Sequence, residues 1–228
     1  MLIIENLSIP NPDTNQFAKS DIKENKNNIS DSKSNLNNSF ATEKLFSNLS
    51  VSLFEGTITY IYGNNGSGKT SLLKAISGLS KNYEGKMSLQ GLSMDDFYKP
   101  YCLYVGHKSA YEQDIKVIDQ LEFWADSYNS TEMIPAAIEF WNLGNILDKK
   151  ISSLSAGNAK KVSLSRLTCC YAKLWLLDEV ETNLDELNLK CLHYSMISKA
   201  QSGGIILITS HMKQRVQDSQ VIDLEDLK

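Results

Sequence analysis

What the sequence lacks narrows its function before any motif is considered. No stretch approaches the roughly 18 consecutive apolar residues of a membrane span. The N-terminal MLIIENLSIPNP has neither the basic start nor the apolar run of a signal peptide. Both absences predict a chain that stays in the cytosol while remaining able to dock on a membrane protein. The four cysteines, Cys102, Cys169, Cys170 and Cys191, form no C-x-x-C pair and have no histidine at ligand spacing. That pattern points to reduced structural thiols rather than metal or redox chemistry, and no Cys-x-x-Cys-His run is present to attach haem. Positive charge is not in excess either: 23 Lys and Arg stand against 27 Asp and Glu, for a net charge of -4 and a pI near 5.5. Such a balance disfavours nucleic acid as the main partner. There is no internal repeat.

What is present fits a single globular domain over residues 1–228, since 42% hydrophobic and 22% charged residues suffice for a sizeable core. One block departs from this composition. Residues 11–40 are crowded with Asn, Ser, Lys and Asp and show neither helical nor strand periodicity. They bury too little apolar surface to offset ordering entropy, so a disordered insertion or a long surface loop is expected there. Slow growth of loop-closure entropy lets a fold carry it.

The rest alternates strands and helices. Strand-like runs occupy 2–9 and 49–63, the second reading as a hairpin around Glu55-Gly56. KTSLLKAISGL then places Leu72, Leu73, Ile76 and Leu79 on one helical face, and MSLQG follows as a short strand. Helical spacing over 115–128 and 133–141 predicts a helical subdomain within residues 108–160. Beyond it come a helix after LSAG, the strand LWLLDE, a helix from about Asp185 to Ala200, the strand GIILITS and a short closing strand VIDL. The expected class is α/β with a mainly parallel sheet and a small antiparallel part.

Gly63-Asn64-Asn65-Gly66-Ser67-Gly68-Lys69-Thr70 matches G-x-x-x-x-G-K-[ST] in full, between a strand and a helix. Glycines let the backbone N–H groups wrap inward and, with the positive helix end, cradle the β- and γ-phosphates of a nucleotide; Ser71 continues that loop. Lys69 adds a point charge and Thr70 a Mg²⁺ ligand. LWLLDE is an apolar strand ending in two carboxylates. Asp178 is the expected Mg²⁺ ligand, directly or through water, and Glu179 the expected general base for an attacking water. Ser155, Ala156, Gly157 and Asn158 sit where a helix opens; alone they read as an N-cap, and free N–H groups there also make an anion site.

Taken together, these motifs resemble those of ABC-type ATPases over essentially the whole chain outside the insert. That resemblance implies a P-loop NTPase fold, ATP and Mg²⁺ as ligands, and a head-to-tail dimer in which LSAGN of one copy meets the γ-phosphate held by the other. It places Asp185 in the D-loop and makes His211 the γ-phosphate histidine. His107 falls where the family carries its Q-loop Gln, and Phe40 at the distance of the adenine-stacking aromatic. His107, Asn158, Ala156 and Val180 depart from the usual pattern, which points to slow turnover. Within the family, YVGH, LSAG with the basic run and SRL after it, and Trp175 in LWLLDE resemble the ATP-binding subunits of haem exporters in cytochrome c maturation. This implies a peripheral subunit on the cytoplasmic side of the inner membrane, with integral permease partners and no direct haem contact. Two alternatives share the motifs: a soluble ABC ATPase of the iron-sulfur assembly type, and a nucleotide-gated assembly module with little turnover.

Overall fold

The computed structural model describes residues 1–12, 43–93, 101–106, 110–211 and 215–228. In chain order its strands and helices are β1 (Leu2–Pro10), β2 (Lys44–Leu53), β3 (Thr57–Tyr62), α1 (Lys69–Ile76), β4 (Glu84–Leu89), β5 (Leu92–Ser93), β6 (Cys102–Val105), α2 (Val117–Ser127), α3 (Ile134–Phe140), α4 (Ala156–Cys169), β7 (Leu174–Asp178), α5 (Glu186–Gln201), β8 (Ile205–Thr209) and β9 (Gln220–Asp223).

LWLLD and IILIT are buried at every position. Continuous apolar runs of this kind belong to strands covered on both faces, and β7 and β8 accordingly lie inside a parallel sheet of order β6-β7-β8-β3-β9. The two-residue side-chain period divides the core between its faces. Leu174, Leu176, Ile205 and Leu207 point toward α1 and the antiparallel sheet β2-β1-β4-β5. Trp175, Leu177, Ile206 and Ile208 point toward residues of α2, α4 and α5. The α/β fold with a small antiparallel part is the expected one.

The hairpin at Glu55-Gly56 is not formed. β2 pairs with β1 in the antiparallel sheet, whereas β3 pairs with β8 and β9 in the parallel one. The four central residues of β3 are all buried, a demand that the alternating face of a hairpin does not meet. Gly56, at φ +81, turns the chain between the sheets and donates its N–H to Gly204 O at 2.9 Å. The helix after the phosphate loop is also shorter than its apolar period suggests: α1 stops at Ile76, Gly78 adopts φ +72, and Leu79 is exposed. Gly in the left-handed region ends helices readily, and it overrides the apolar pattern here.

The chain between β6 and β7 forms α2 and α3 before it reaches α4. α2 buries Val117, Leu121, Trp124 and Ala125. The Trp141 indole N–H donates to Thr168 Oγ1 on α4 at 3.0 Å, and the Arg166 guanidinium lies 5.1 Å from the Trp124 ring centre. Among the described residues no helix is long and apolar enough to cross a membrane, and all four cysteines are free thiols.

Candidate nucleotide site

Parallel strands bring all their C-terminal ends to one edge, where ligands of α/β sheets bind. In this sheet Ile61, Thr209 and Asp178 form one row across β3, β8 and β7. The loop after β3 therefore opens beside the two carboxylates that follow Leu177.

Gly63 and Gly68 make the loop possible. Gly63 adopts φ +144, and a Cβ there would lie 2.4 Å from Ser67 Oγ; Gly68 caps α1 at φ +100, and its Cβ would press the Phe46 ring at 3.1 Å. Lys69 is buried, and its ammonium donates to Gly63 O at 2.8 Å and Asn64 O at 3.0 Å. The buried Ser67 hydroxyl has no hydrogen-bond partner among the described residues. Within the loop the Asn64 N–H donates to Glu225 Oε1, from the C-terminal end of the chain, at 2.9 Å. Lys228, then Asn64, holds the Glu225 carboxyl below the usual carboxylate range.

Asp178, 2% exposed, receives three hydroxyl donors. Thr70 and Thr209 donate to Oδ1 at 3.0 and 2.8 Å, and Tyr104 on β6 donates to Oδ2 at 3.0 Å. Burial, and then the Asp178 charge, push the Tyr104 hydroxyl above its ordinary value, so it remains a donor. Glu179 adopts φ +53, with its N–H on Thr209 Oγ1 at 2.9 Å. Its carboxylate lies 2.9 Å from His211 Nε2, a hydrogen bond that the imidazole donates in the tautomer protonated on Nε2.

Two cavities that share Asn65 and Glu179 open over the loop and Glu179, while Asp178 lines neither. One, of about 610 Å³, is lined by Gly66, Gly68, Lys69, Thr70 and Ser71 among others; the second, of about 580 Å³, reaches Thr182, Asn183 and His211. Asp185 lies outside both linings, capping α5 by accepting from Asn188 N at 2.7 Å. Ser155, which accepts from Asn158 N at 3.4 Å, Ala156 and Gly157 are exposed at the start of α4 and line neither cavity. Phe40 and His107 lie outside the described residues. Sequence reasoning assigned nothing to Thr209 and Tyr104; each is a polar residue at or near the end of an otherwise apolar strand on the same edge, and that is the signal that identifies them.

A phosphate loop opening a helix, with a paired Asp-Glu at the end of a parallel strand one removed in the same sheet, defines a P-loop nucleoside triphosphatase. The family model described as ABC transporter matches residues 46–182. The chain is 42% identical over 182 residues to the "Cytochrome c biogenesis ATP-binding export protein CcmA" of Rickettsia bellii, covering 80% of this chain and 93% of that one. The protein of the same name from Wolbachia pipientis is 35% identical over 186 residues, covering 80% and 90%. Among solved structures, an ATP-binding subunit of an ABC transporter superposes with TM-score 0.70 at 19% identity, covering 93% of this chain and 80% of that one. A dimeric ATP-binding cassette in a post-hydrolysis state, bound to ADP and Pi, gives 0.74 at 14% identity and covers 98% and 94%. The chain belongs to the ABC transporter family and is an ABC-type ATPase.

Proposed function

We propose that the chain is the ATP-hydrolysing subunit of the membrane ABC complex that serves haem export in cytochrome c biogenesis. One observation carries the catalytic part: Lys69, Thr70, Asp178, Glu179 and His211 meet at one sheet edge, while Ser155, Ala156 and Gly157 are exposed where α4 begins, with Asn158 half-buried beside them. A second copy turned head to tail supplies the missing wall, its Ser155 and Gly157 donating to the γ-phosphate. Relatives bearing the cytochrome c biogenesis name support the cellular role.

In this reading the loop N–H groups and Lys69 bind the β- and γ-phosphates, the ammonium exchanging its two carbonyl acceptors for phosphate oxygens. The Thr70 hydroxyl and Asp178 carboxylate, 3.0 Å apart, are hard oxygen donors that suit Mg²⁺. When bound, the ion neutralises charge that develops on the phosphates. Glu179 takes the proton of the attacking water, and His211 orients Glu179 and contacts the γ-phosphate. Asp185, at the mouth of α5, faces the second copy. The membrane partners are integral permease subunits, which place the chain on the cytoplasmic side of the inner membrane, and haem touches those partners rather than this chain.

The experiment has two arms. Glu179→Gln keeps ATP binding, loses turnover by about 10²- to 10⁴-fold and accumulates an ATP-bound dimer on size exclusion; rapid hydrolysis by this variant refutes the assigned base. A tagged chain recovered from membranes co-purifies with integral cytochrome c biogenesis proteins. Recovery of an unrelated permease overturns the cellular role and leaves the ATPase intact.

A further inference from the structure

Two residues beyond Glu179 the chain buries a carboxylate that the phosphate chemistry does not use. Glu181 is 3% exposed. Its Oε1 meets His193 Nε2 on α5 at 2.9 Å and accepts from the Tyr60 hydroxyl on β3 at 3.4 Å. Its Oε2 accepts from the hydroxyl of Ser210, the residue that precedes His211. The Tyr60 oxygen accepts in turn from the Val216 N–H at 3.3 Å. Both flanks of the segment that bears His211 therefore run to one carboxylate, directly on the N-terminal side and through Tyr60 on the C-terminal side. The same residue is tied into the turn that aims Glu179: Thr182 N–H reaches Glu179 O and Leu184 N–H reaches Glu181 O, each at 3.3 Å.

A buried carboxylate is a poor way to gain stability, because desolvation offsets much of what its partners return and an apolar residue of similar size often does as well. A satisfied polar network does fix orientation, since each donor has one acceptor to meet. We infer that Glu181 is a positioning residue for ATP hydrolysis, holding Ser210 directly before His211 and, through Tyr60, the backbone at Val216, so that the imidazole meets the Glu179 carboxylate. The inference rests on the reading of His211 and Glu179 as the hydrolytic pair, and it acts through geometry that costs turnover when it loosens.

Two conservative changes cut the network without removing the carboxylate: Ser210→Ala and Tyr60→Phe. ATP hydrolysis by the purified full-length chain is measured for each, alone and combined with His211→Ala, beside the wild type and Glu179→Gln. Each single change lowers kcat by about tenfold and moves KM for ATP by less than about twofold, as expected for lost orientation rather than lost binding. Ser210→Thr, which keeps the hydroxyl, restores kcat. In the His211→Ala background neither change lowers kcat further, because residues acting through one group are not additive. Losses that multiply with His211→Ala, or a kcat unchanged by both substitutions while His211→Ala is impaired, overturn the inference alone. A His211→Ala enzyme as fast as wild type, or a wild type no faster than Glu179→Gln, overturns the reading of the site beneath it.

Discussion

Tyr104 and Asp178 are hydrogen-bonded across two neighbouring strands, hydroxyl to Oδ2 at 3.0 Å, on the side of the carboxylate that Thr70 and Thr209 leave open. Asp178 is thereby fixed from both oxygens within the sheet edge that also holds the phosphate loop. Replacing Tyr104 by Phe keeps the ring and removes one of three donors to a buried charge. The expected cost is about 1–3 kcal/mol of folding free energy, read from urea denaturation of the variant against wild type. An unchanged midpoint and slope would remove the hydrogen bond from the account.

Lys69→Ala removes the cation that now rests on Gly63 O and Asn64 O. A charge-assisted contact to phosphate is worth about 1.5–3 kcal/mol, so ATP affinity falls by about 10- to 100-fold. Equilibrium titration with a fluorescent ATP analogue measures it. Affinity equal to wild type would sink the phosphate-loop reading.

The two ends of the stretch between β1 and β2 meet: Pro10 pairs with Lys44, and Asn11 N–H donates to Glu43 O at 2.7 Å. A short Asn-Gly linker in place of residues 13–42 suits that separation, and shortening the connection lowers closure entropy slightly. The shortened chain is expected to fold and to hydrolyse ATP with kcat near wild type. It also lacks Phe40, so a selective rise in KM for ATP would mark that ring as the adenine contact. Loss of folding would show that the stretch contributes to the core.

Alkaline pH should destabilise the chain through two neighbours at the base of β6. Burial pushes the Cys102 thiol up to about 12 from 9.0, and burial does the same to the Tyr128 hydroxyl, up to about 12 from 10.0, while that hydroxyl donates to Cys102 O at 3.0 Å. The unfolded chain releases these protons first, so it binds fewer protons than the native state and stability falls as pH rises. The loss begins near pH 9 and is complete by about pH 12. Denaturation midpoints at pH 8, 9.5 and 10.5 should decline in that order, and Tyr128→Phe should flatten part of the decline. A midpoint constant over this range would contradict it.

Much of the candidate site is legible along the chain because its parts are covalent neighbours. Gly63 to Thr70 needs only glycines with positive φ and a helix beginning at Lys69, and both are written locally. Leu174 to Asp178 declares a doubly covered strand by its uninterrupted apolar run. Reading failed where a local pattern admitted two partners. The residues flanking Gly56 fit a hairpin by alternation, yet β3 is claimed by β8 and β9 because its own burial requires neighbours on both sides.

By itself, then, the sequence determined the chemical inventory: a phosphate loop, an Asp-Glu pair, a histidine after the last long apolar strand, and a α/β alternation to carry them. Only the tertiary structure decided which side chains stand behind these groups. Strand register sets Thr209 beside Asp178, and parallel pairing of β6 with β7 brings Tyr104 to the same carboxylate. Glu181, by sequence an ordinary charge in VETN, is revealed as the buried meeting point of Tyr60, His193 and Ser210. These contacts join residues far apart in the chain, and spacing along one strand or helix carries no information about what a neighbouring element will place against it.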